Sequence, residues 1–196
     1  MTSRFSRVLR GAGVAALGVT LGLGSSVAAG VAAFRAGGVA VGAWRTNVNI
    51  GSAAASPWLR AAIALGGLLA LDRRETLYFT ASDDDAGRGL SRRCAYRVEG
   101  AQPDARWWSV TVYGTDGFLI PNRARRYSFG SGAVARGAEL GFELAPRADD
   151  PAVVPLGDAP TDGGFNLTLR LYEPSVDIAR EPSRARLPRI TRLRCH

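Results

Sequence analysis

Residues 165–172 read Phe165-Asn166-Leu167-Thr168-Leu169-Arg170-Leu171-Tyr172, with an apolar side chain at every second position. Successive side chains of a β-strand point to opposite faces, so the apolar residues of this stretch would share one face. The same period of two occurs at residues 94–98, 108–112 and 140–144. The chain from Thr76 onward therefore predicts several strands, each with one buried face.

Short clusters rich in Gly, Pro and Asp separate these alternating segments. They lie at residues 83–89, 100–104, 114–117, 130–132, 145–151 and 157–164. Many short strands joined by such turns are typical of all-β domains. We therefore predict a mainly β protein: an antiparallel β-sandwich or jelly-roll-like domain, preceded by an N-terminal transmembrane helix and a short helix.

The N-terminal part contains an uncharged run at residues 11–34, with Arg4, Arg7 and Arg10 before it and Arg35 after it. A helix of about 20 apolar residues crosses a bilayer, and basic residues favour the cytoplasmic side. We expect a membrane contact through residues 11–34, with the N-terminus in the cytoplasm and the main domain in the periplasm. A cleaved signal peptide is the alternative.

Three segments follow from these patterns: an anchor or signal segment over 1–35, a connector over 36–55 and a β domain over 56–196. The connector is rich in Gly, Ala, Ser and Asn, which predicts irregular structure, with Trp44 as a candidate interfacial residue. Ser56 and Pro57 are typical of a helix start, and the apolar run to Leu71 predicts a helix too short to span a membrane.

The net charge of +8 is concentrated at the two ends of the chain. Residues 36–179 contain 15 Arg and 16 acidic residues, so the body of the protein requires no basic face, and no nucleic-acid partner is predicted. All 25 basic residues are Arg, a bias that a GC-rich bacterial genome explains. Bacterial origin and an N-terminal anchor together indicate the inner membrane.

The chain contains only two cysteines, Cys94 and Cys195. In an exported domain an oxidising compartment favours a disulfide between them, which would close a loop of about 100 residues. The alternative is two free thiols, with Cys94 buried as a small apolar side chain and Cys195 in a frayed tail.

The sequence lacks residues that most catalytic and metal sites require. The only histidine is His196, so a Ser-His-Asp triad or a His-ligated metal would depend on the end of the chain. Asp83 and Asp85 alternate as in a calcium loop, but no Glu follows at the twelfth position, which favours a solvated turn. We predict no catalytic residues, metal or cofactor, and regard an enzyme as the weaker alternative.

Polar and aromatic residues on the most recognisable strands are the candidates for ligand binding. They are Trp107, Tyr113, Asn122, Arg126, Arg170 and Tyr172. If their strands are neighbours, a guanidinium beside aromatic rings could receive a carboxylate, a phosphate or a sugar. The alternative is structural, with Arg and Asn satisfying backbone carbonyls and Trp108 filling the core.

Several ordered segments resemble the domain of unknown function 1214 family. They are Arg106-Trp107-Trp108-Ser109-Val110-Thr111-Val112-Tyr113, Gly117-Phe118-Leu119-Ile120-Pro121-Asn122, Arg126-Tyr127-Ser128 and Phe165-Asn166-Leu167-Thr168-Leu169-Arg170-Leu171-Tyr172-Glu173-Pro174. Residues 57–61 and 75–79 are similar to the family's opening helix and first strand, so the resemblance spans about residues 40–195.

This resemblance implies a bacterial envelope protein, often with a membrane segment, and a mostly β domain; it implies no activity. The ending Leu187-Pro188-Arg189-Ile190 and Cys195 also resemble the family, which supports the disulfide. Where the family tends to show Asn-Trp-Leu-Pro, this chain has Ala152-Val153-Val154-Pro155, which implies an altered pocket if that Trp lines one.

The sequence therefore favours a non-catalytic envelope module, anchored in the inner membrane, whose β domain binds a small ligand or a partner protein. One alternative is an envelope enzyme that uses Arg with the acids of residues 83–85, Asp116, Glu139 and Glu143. A further alternative is a structural subunit of an inner-membrane complex, in which Gly18 and Gly22 allow helices to approach closely.

Overall fold

The computed structural model describes residues 2–35, 38–65, 70–148, 150, 152–158 and 161–195. The N-terminal helix α1 spans Thr2–Arg35. Its segment Gly11–Ala32 has a mean hydropathy of 1.8, is long and apolar enough to cross a bilayer, and is not buried against the rest of the described chain. His196, the only histidine, lies outside the described residues.

The described part of the chain beyond α1 is mainly β. The strands are β1 (Gly38–Val41), β2 (Trp44–Asn47), β3 (Thr76–Ala81), β4 (Cys94–Gly100), β5 (Ala105–Gly114), β6 (Ser128–Gly130), β7 (Leu140–Ala145), β8 (Val153–Pro155), β9 (Phe165–Pro174) and β10 (Arg189–Cys195). Two short helices, α2 (Pro57–Leu65) and α3 (Val176–Arg180), and two 3₁₀ turns, at Ser131–Ala133 and Pro182–Arg184, complete the elements.

Two sheets form the domain, which confirms the predicted mainly β fold. The first has the order β1-β2-β3-β9-β5-β6, and the second has the order β10-β4-β7-β8. Neighbouring strands are antiparallel except β7 and β8, which run parallel. β9 lies between β3 and β5, so the strand with the clearest alternation in the sequence is central in its sheet.

One hydrophobic core lies between the two sheets. From the first sheet it receives the apolar positions of β3, β5 and β9, and from the second those of β4, β7 and β10. Phe165, Leu167, Leu169 and Leu171 are all fully buried, as the alternation predicts. Burying side chains of this size contributes about 1.5–3 kcal/mol each, so this strand alone is a major source of stability.

The predicted irregular connector is wrong for residues 38–47. These residues form a hairpin in which Val41 pairs with Trp44 around a two-residue turn, and Gly42 adopts a positive φ of 59° there. Trp44 is not interfacial: its side chain is 1% exposed and its indole N–H donates to the carbonyl of Pro188 over 2.7 Å. Two strands of four residues are too short for a clear period, which is why the sequence did not reveal them.

The predicted helix over residues 56–71 is shorter in the structure. α2 ends at Leu65, residues 66–69 lie outside the described residues, and Ala70 and Leu71 are not helical. Asp72 then begins a turn, since its carbonyl accepts the N–H groups of Glu75 and Thr76. The chain therefore turns directly into β3.

Cys94 and Cys195 form the predicted disulfide, with Cα atoms 3.9 Å apart. The two residues face each other in the pairing of β4 with β10. The bond therefore fixes the end of an outer strand to its neighbour and closes a segment of 101 residues.

Candidate functional site

The face of the first sheet that points away from the core carries polar and aromatic side chains, and we call it the outer face. The residues follow from strand alternation and from the register of β3, β9 and β5. They are Tyr78 and Thr80 on β3, Thr168, Arg170 and Tyr172 on β9, and Trp107, Ser109, Thr111 and Tyr113 on β5.

Four of the six predicted site residues lie together on the outer face. Arg170 donates hydrogen bonds to the Thr111 hydroxyl at 3.2 Å and the Tyr113 hydroxyl at 2.9 Å, and its guanidinium lies 5.6 Å from the centre of the Tyr113 ring. Trp107 packs on Tyr172 with ring centroids 4.9 Å apart. Trp107 remains 44% exposed, so this aromatic pair is accessible from solvent.

The other two predicted residues lie in the loop between β5 and β6. The Asn122 side chain is buried; its amide donates to the carbonyl of Arg126 at 2.9 Å and its oxygen accepts from the N–H of Arg126 at 3.1 Å. The Arg126 guanidinium donates to the carbonyls of Asp150 and Val153. These contacts fit the structural alternative, because both side chains satisfy backbone groups.

A cavity of about 650 Å³ beside the outer face was not predicted from the sequence. We call it the hairpin cavity, because residues of β1 and β2 form one wall and residues of β3 and β9 form the other. β2 pairs with β3 only at Arg45 and Thr80. Beyond that pair the two strands separate, and Thr46, Asn47 and Tyr78 line the space. Its volume falls in the range of about 300–1,000 Å³ usual for small-molecule sites.

The lining of the hairpin cavity combines polar and apolar groups. Its polar lining residues are Arg45, Thr46, Asn47, Tyr78, Thr80 and Thr168, and its apolar lining residues are Val39, Ala40 and Ile50. The Arg45 side chain is exposed and has no ion-pair partner among the residues that the structure describes. No carboxylate within the described ranges lines the cavity, so its field favours an anionic group.

Paired and buried elements hold the walls of the hairpin cavity in place. Thr80 and Thr168 face each other across the central pairing of β3 with β9. Trp44 fixes the hairpin to the core, as described above, and the Tyr78 hydroxyl accepts the N–H of Leu71 at 3.3 Å. A cavity with such walls is largely formed before a ligand arrives, which lowers the entropic cost of binding.

Two further cavities have different character. One of about 400 Å³ is lined by Arg123, Arg126, Arg147 and Asp158 among others, but the guanidinium groups of Arg126 and Arg147 already donate to loop carbonyls. The other, of about 650 Å³, is a shallow groove beside α2, lined by Gly51, Ala55, Arg60, Ile63, Ala64 and Leu71 among others; we call it the α2 groove. Its lining is mostly apolar.

The acidic turn at residues 83–85 serves structure. Asp84, between the two carboxylates considered for calcium, is 2% exposed and accepts from Arg88 Nε at 2.9 Å and from the backbone N–H groups of Ala86 and Arg88. Arg192 Nε lies 3.3 Å from the same carboxylate, an ion-pair distance without hydrogen-bond geometry. Burial alone would raise the pKa of Asp84, but the hydrogen bonds and charge of Arg88 outweigh it and lower that pKa.

Asp85 connects the acidic turn to β10. The N–H of Asp85 donates to the carbonyl of Ile190, and the Asp85 carboxylate accepts the N–H of Ile190. Within the described residues no group of three His, Cys, Asp or Glu side chains is placed to hold a metal ion. The turn therefore joins the two sheets at one end of the domain.

A family model described as "Protein of unknown function (DUF1214)" matches residues 75–176, just over half of the chain. No curated protein matches the sequence. The crystal structure of the VPA0106 protein from Vibrio parahaemolyticus is similar, with 23% identity and a TM-score of 0.57, over 72% of this chain and 36% of that one. This likeness shows a shared fold.

An uncharacterised protein from Burkholderia cenocepacia is also similar, with 19% identity and a TM-score of 0.40, over 62% of this chain and 30% of that one. The chain thus matches only about a third of the length of each of these two solved structures.

Proposed function

This chain belongs to the DUF1214 family, whose description gives no function, so we propose its function from the geometry of the hairpin cavity. The β domain is a binding module that holds a small ligand with an anionic group and does not change it chemically. Helix α1 anchors the module in the bacterial inner membrane, and the domain lies on the periplasmic side.

The observation that carries this proposal is the lining of the hairpin cavity. It contains one guanidinium without an ion-pair partner among the described residues, several hydroxyl and amide groups, and an apolar wall formed by Val39, Ala40 and Ile50. Arg binds carboxylate and phosphate groups through two parallel hydrogen bonds, and hydroxyl groups can complete such a contact. The apolar wall supplies the contact area that gives a small ligand its affinity.

Catalysis finds less support in the same geometry. Several of the acids considered for an enzyme are engaged in other contacts: Glu143 pairs with Arg97 at 3.0 Å, and the Asp116 carboxylate accepts the N–H of Phe118 at 3.1 Å. Asp84 is held by Arg88. General acid–base chemistry needs a titratable group within hydrogen-bond reach of the ligand, and no carboxylate of the described chain lines the hairpin cavity.

Two features support the membrane and periplasmic parts of the proposal. The segment Gly11–Ala32 has the length and hydropathy of a membrane span, and Arg4, Arg7 and Arg10 precede it in the sequence. The Cys94–Cys195 disulfide fits an oxidising compartment.

Native mass spectrometry of the full-length protein, extracted from membranes in mild detergent, tests the proposal. We expect a bound small molecule in the wild type and in Arg189→Gln, which changes an exposed Arg on the other sheet. Arg45→Gln should lose it, since a hydrogen bond to a charged group contributes about 1.5–3 kcal/mol, or roughly a tenfold or larger affinity loss. Equal retention in both variants, or no bound molecule together with no Arg45-dependent binding of added butyrate, octanoate or inorganic phosphate, would contradict the proposal.

A further inference from the structure

The hairpin cavity lies close to the end of the apolar helix. The apolar segment ends at Ala32, α1 ends at Arg35, and Gly38 is the first residue that lines the cavity. From Ala32 to Arg35 the helix rises about 4.5 Å, and the three steps from Arg35 to Gly38 span at most about 11 Å. With α1 in the membrane, one wall of the cavity therefore lies within about 15 Å of the hydrocarbon, at or just above the lipid headgroups.

The surface beside the hairpin cavity is apolar where it approaches α1. α2 contacts α1, and it exposes Trp58, whose side chain is 47% accessible. Leu71, 45% exposed, lines the α2 groove together with Ile63. Trp side chains are favoured at membrane interfaces, because the ring is apolar while the indole N–H can still bond to water or headgroups.

The hairpin cavity and the α2 groove share a wall. Ile50 lines the cavity, and the next residue, Gly51, lines the groove. On the opposite side, Tyr78 lines the cavity and its hydroxyl bonds to the backbone of Leu71, which lines the groove. The polar cavity and the apolar groove are therefore neighbours, separated by residues 50–51 and by the contact between Tyr78 and Leu71.

We infer that the ligand of the hairpin cavity is a single-chain anionic amphiphile that enters from the membrane surface. This inference rests on the proposed function and names the class of its ligand. The anionic headgroup contacts Arg45 and the Thr hydroxyls, and the alkyl chain packs on Val39, Ala40 and Ile50. At about 30 Å³ for each small group, a volume of about 650 Å³ holds roughly 20 non-hydrogen atoms, enough for one chain and a compact headgroup.

The test compares carboxylates of increasing length on the full-length protein in nanodiscs of phosphatidylcholine. Butyrate, hexanoate and octanoate are titrated calorimetrically, and the Arg45→Gln protein in identical discs provides the correction for partitioning into lipid. We expect the affinity to rise about fourfold for each added methylene, the value that corresponds to burial of one CH₂ group.

A matched pair of variants locates the alkyl chain. Ala40→Asn places an uncharged polar side chain among the apolar lining residues at an exposed position, so that Arg45, its cross-strand neighbour, keeps its charge, and Ala138→Asn makes the same change at an exposed turn away from the cavity. The first should weaken octanoate far more than butyrate, and the second should change neither. Thermal unfolding of each variant confirms that it is folded.

The outcomes separate the two proposals. Equal affinities for butyrate and octanoate, both still dependent on Arg45, would overturn the amphiphile and leave a site for small soluble anions. Tighter binding of inorganic phosphate than of any carboxylate would overturn it in the same way. If no probe binds in an Arg45-dependent manner, the proposed function fails together with the inference.

Discussion

Reduction of the Cys94–Cys195 disulfide should strongly destabilise the β domain without changing its fold. The bond closes a segment of 101 residues. In the chain-entropy model, a loop of this length stabilises the folded state by about 4.7 kcal/mol, because the crosslink restricts the unfolded chain. With a urea dependence of about 2 kcal/mol per molar, the unfolding midpoint should fall by roughly 2 M.

Urea unfolding followed by Trp fluorescence measures this effect. Trp44 and Trp108 are each 1% exposed, so their emission should shift when the core opens to water. The protein is unfolded with and without reductant, beside a Cys94→Ser, Cys195→Ser double variant. Reductant should lower the midpoint of the wild type to that of the double variant and leave the double variant unchanged.

Other contacts also hold β10, and they limit the loss of stability that reduction can cause. Strand pairing with β4, the hydrogen bonds between Asp85 and Ile190, and the ion pair of Asp84 with Arg192 remain after reduction. The fold should therefore persist in dilute buffer. A wild-type midpoint that does not move under reductant, with reduction verified by thiol alkylation, would refute the entropic argument.

Three further predictions concern contacts described above. Trp44→Ala should lower the free energy of unfolding by about 3–5 kcal/mol in thermal or urea unfolding, since it leaves a buried cavity and removes the bond to Pro188. The pKa of Asp84 is lower in the folded than in the unfolded state. The ionised carboxylate therefore stabilises the folded state fully at pH values above the ordinary pKa near 3.9, and this stabilisation is lost as the pH falls below that value. Asp84→Asn should therefore flatten the decline in urea midpoint between pH 6 and pH 3. Arg126→Ala should reduce stability by about 1–3 kcal/mol because two loop carbonyls lose their charged donor, whereas Arg123→Ala, with an exposed side chain, should stay within about 0.5 kcal/mol.

The parts of the fold that depend on local periodicity could be predicted from the sequence. The alternation of residues 165–172 predicts which side chains of β9 are buried, and Leu167 and Leu169 are fully buried in the structure. The same reasoning predicts that Trp107 and Tyr172 share a face if their strands are neighbours, and the register of β5 with β9 pairs these two residues directly.

The parts that depend on distant contacts could not be predicted in this way. The partner of Trp44 is Pro188, 144 positions away, and nothing near Trp44 in the sequence indicates it. The acceptors of Arg126 are backbone carbonyls, which carry no sequence pattern. The hairpin cavity exists because β2 leaves β3 after Arg45, and only the packing of the whole sheet decides where two strands separate.

The central position of β9 has a consequence for the time course of folding. β9 begins at residue 165, yet it pairs with β3 at residues 76–81 and with β5 at residues 105–114. Pairings between segments so distant in sequence form slowly, because a long stretch of chain loses entropy before any contact compensates for it. Until β9 arrives, β3 and β5 each keep an open hydrogen-bonding edge and an uncovered apolar face. The window in which nascent molecules can aggregate is therefore set by the last third of the chain, and preparations should refold best when dilute.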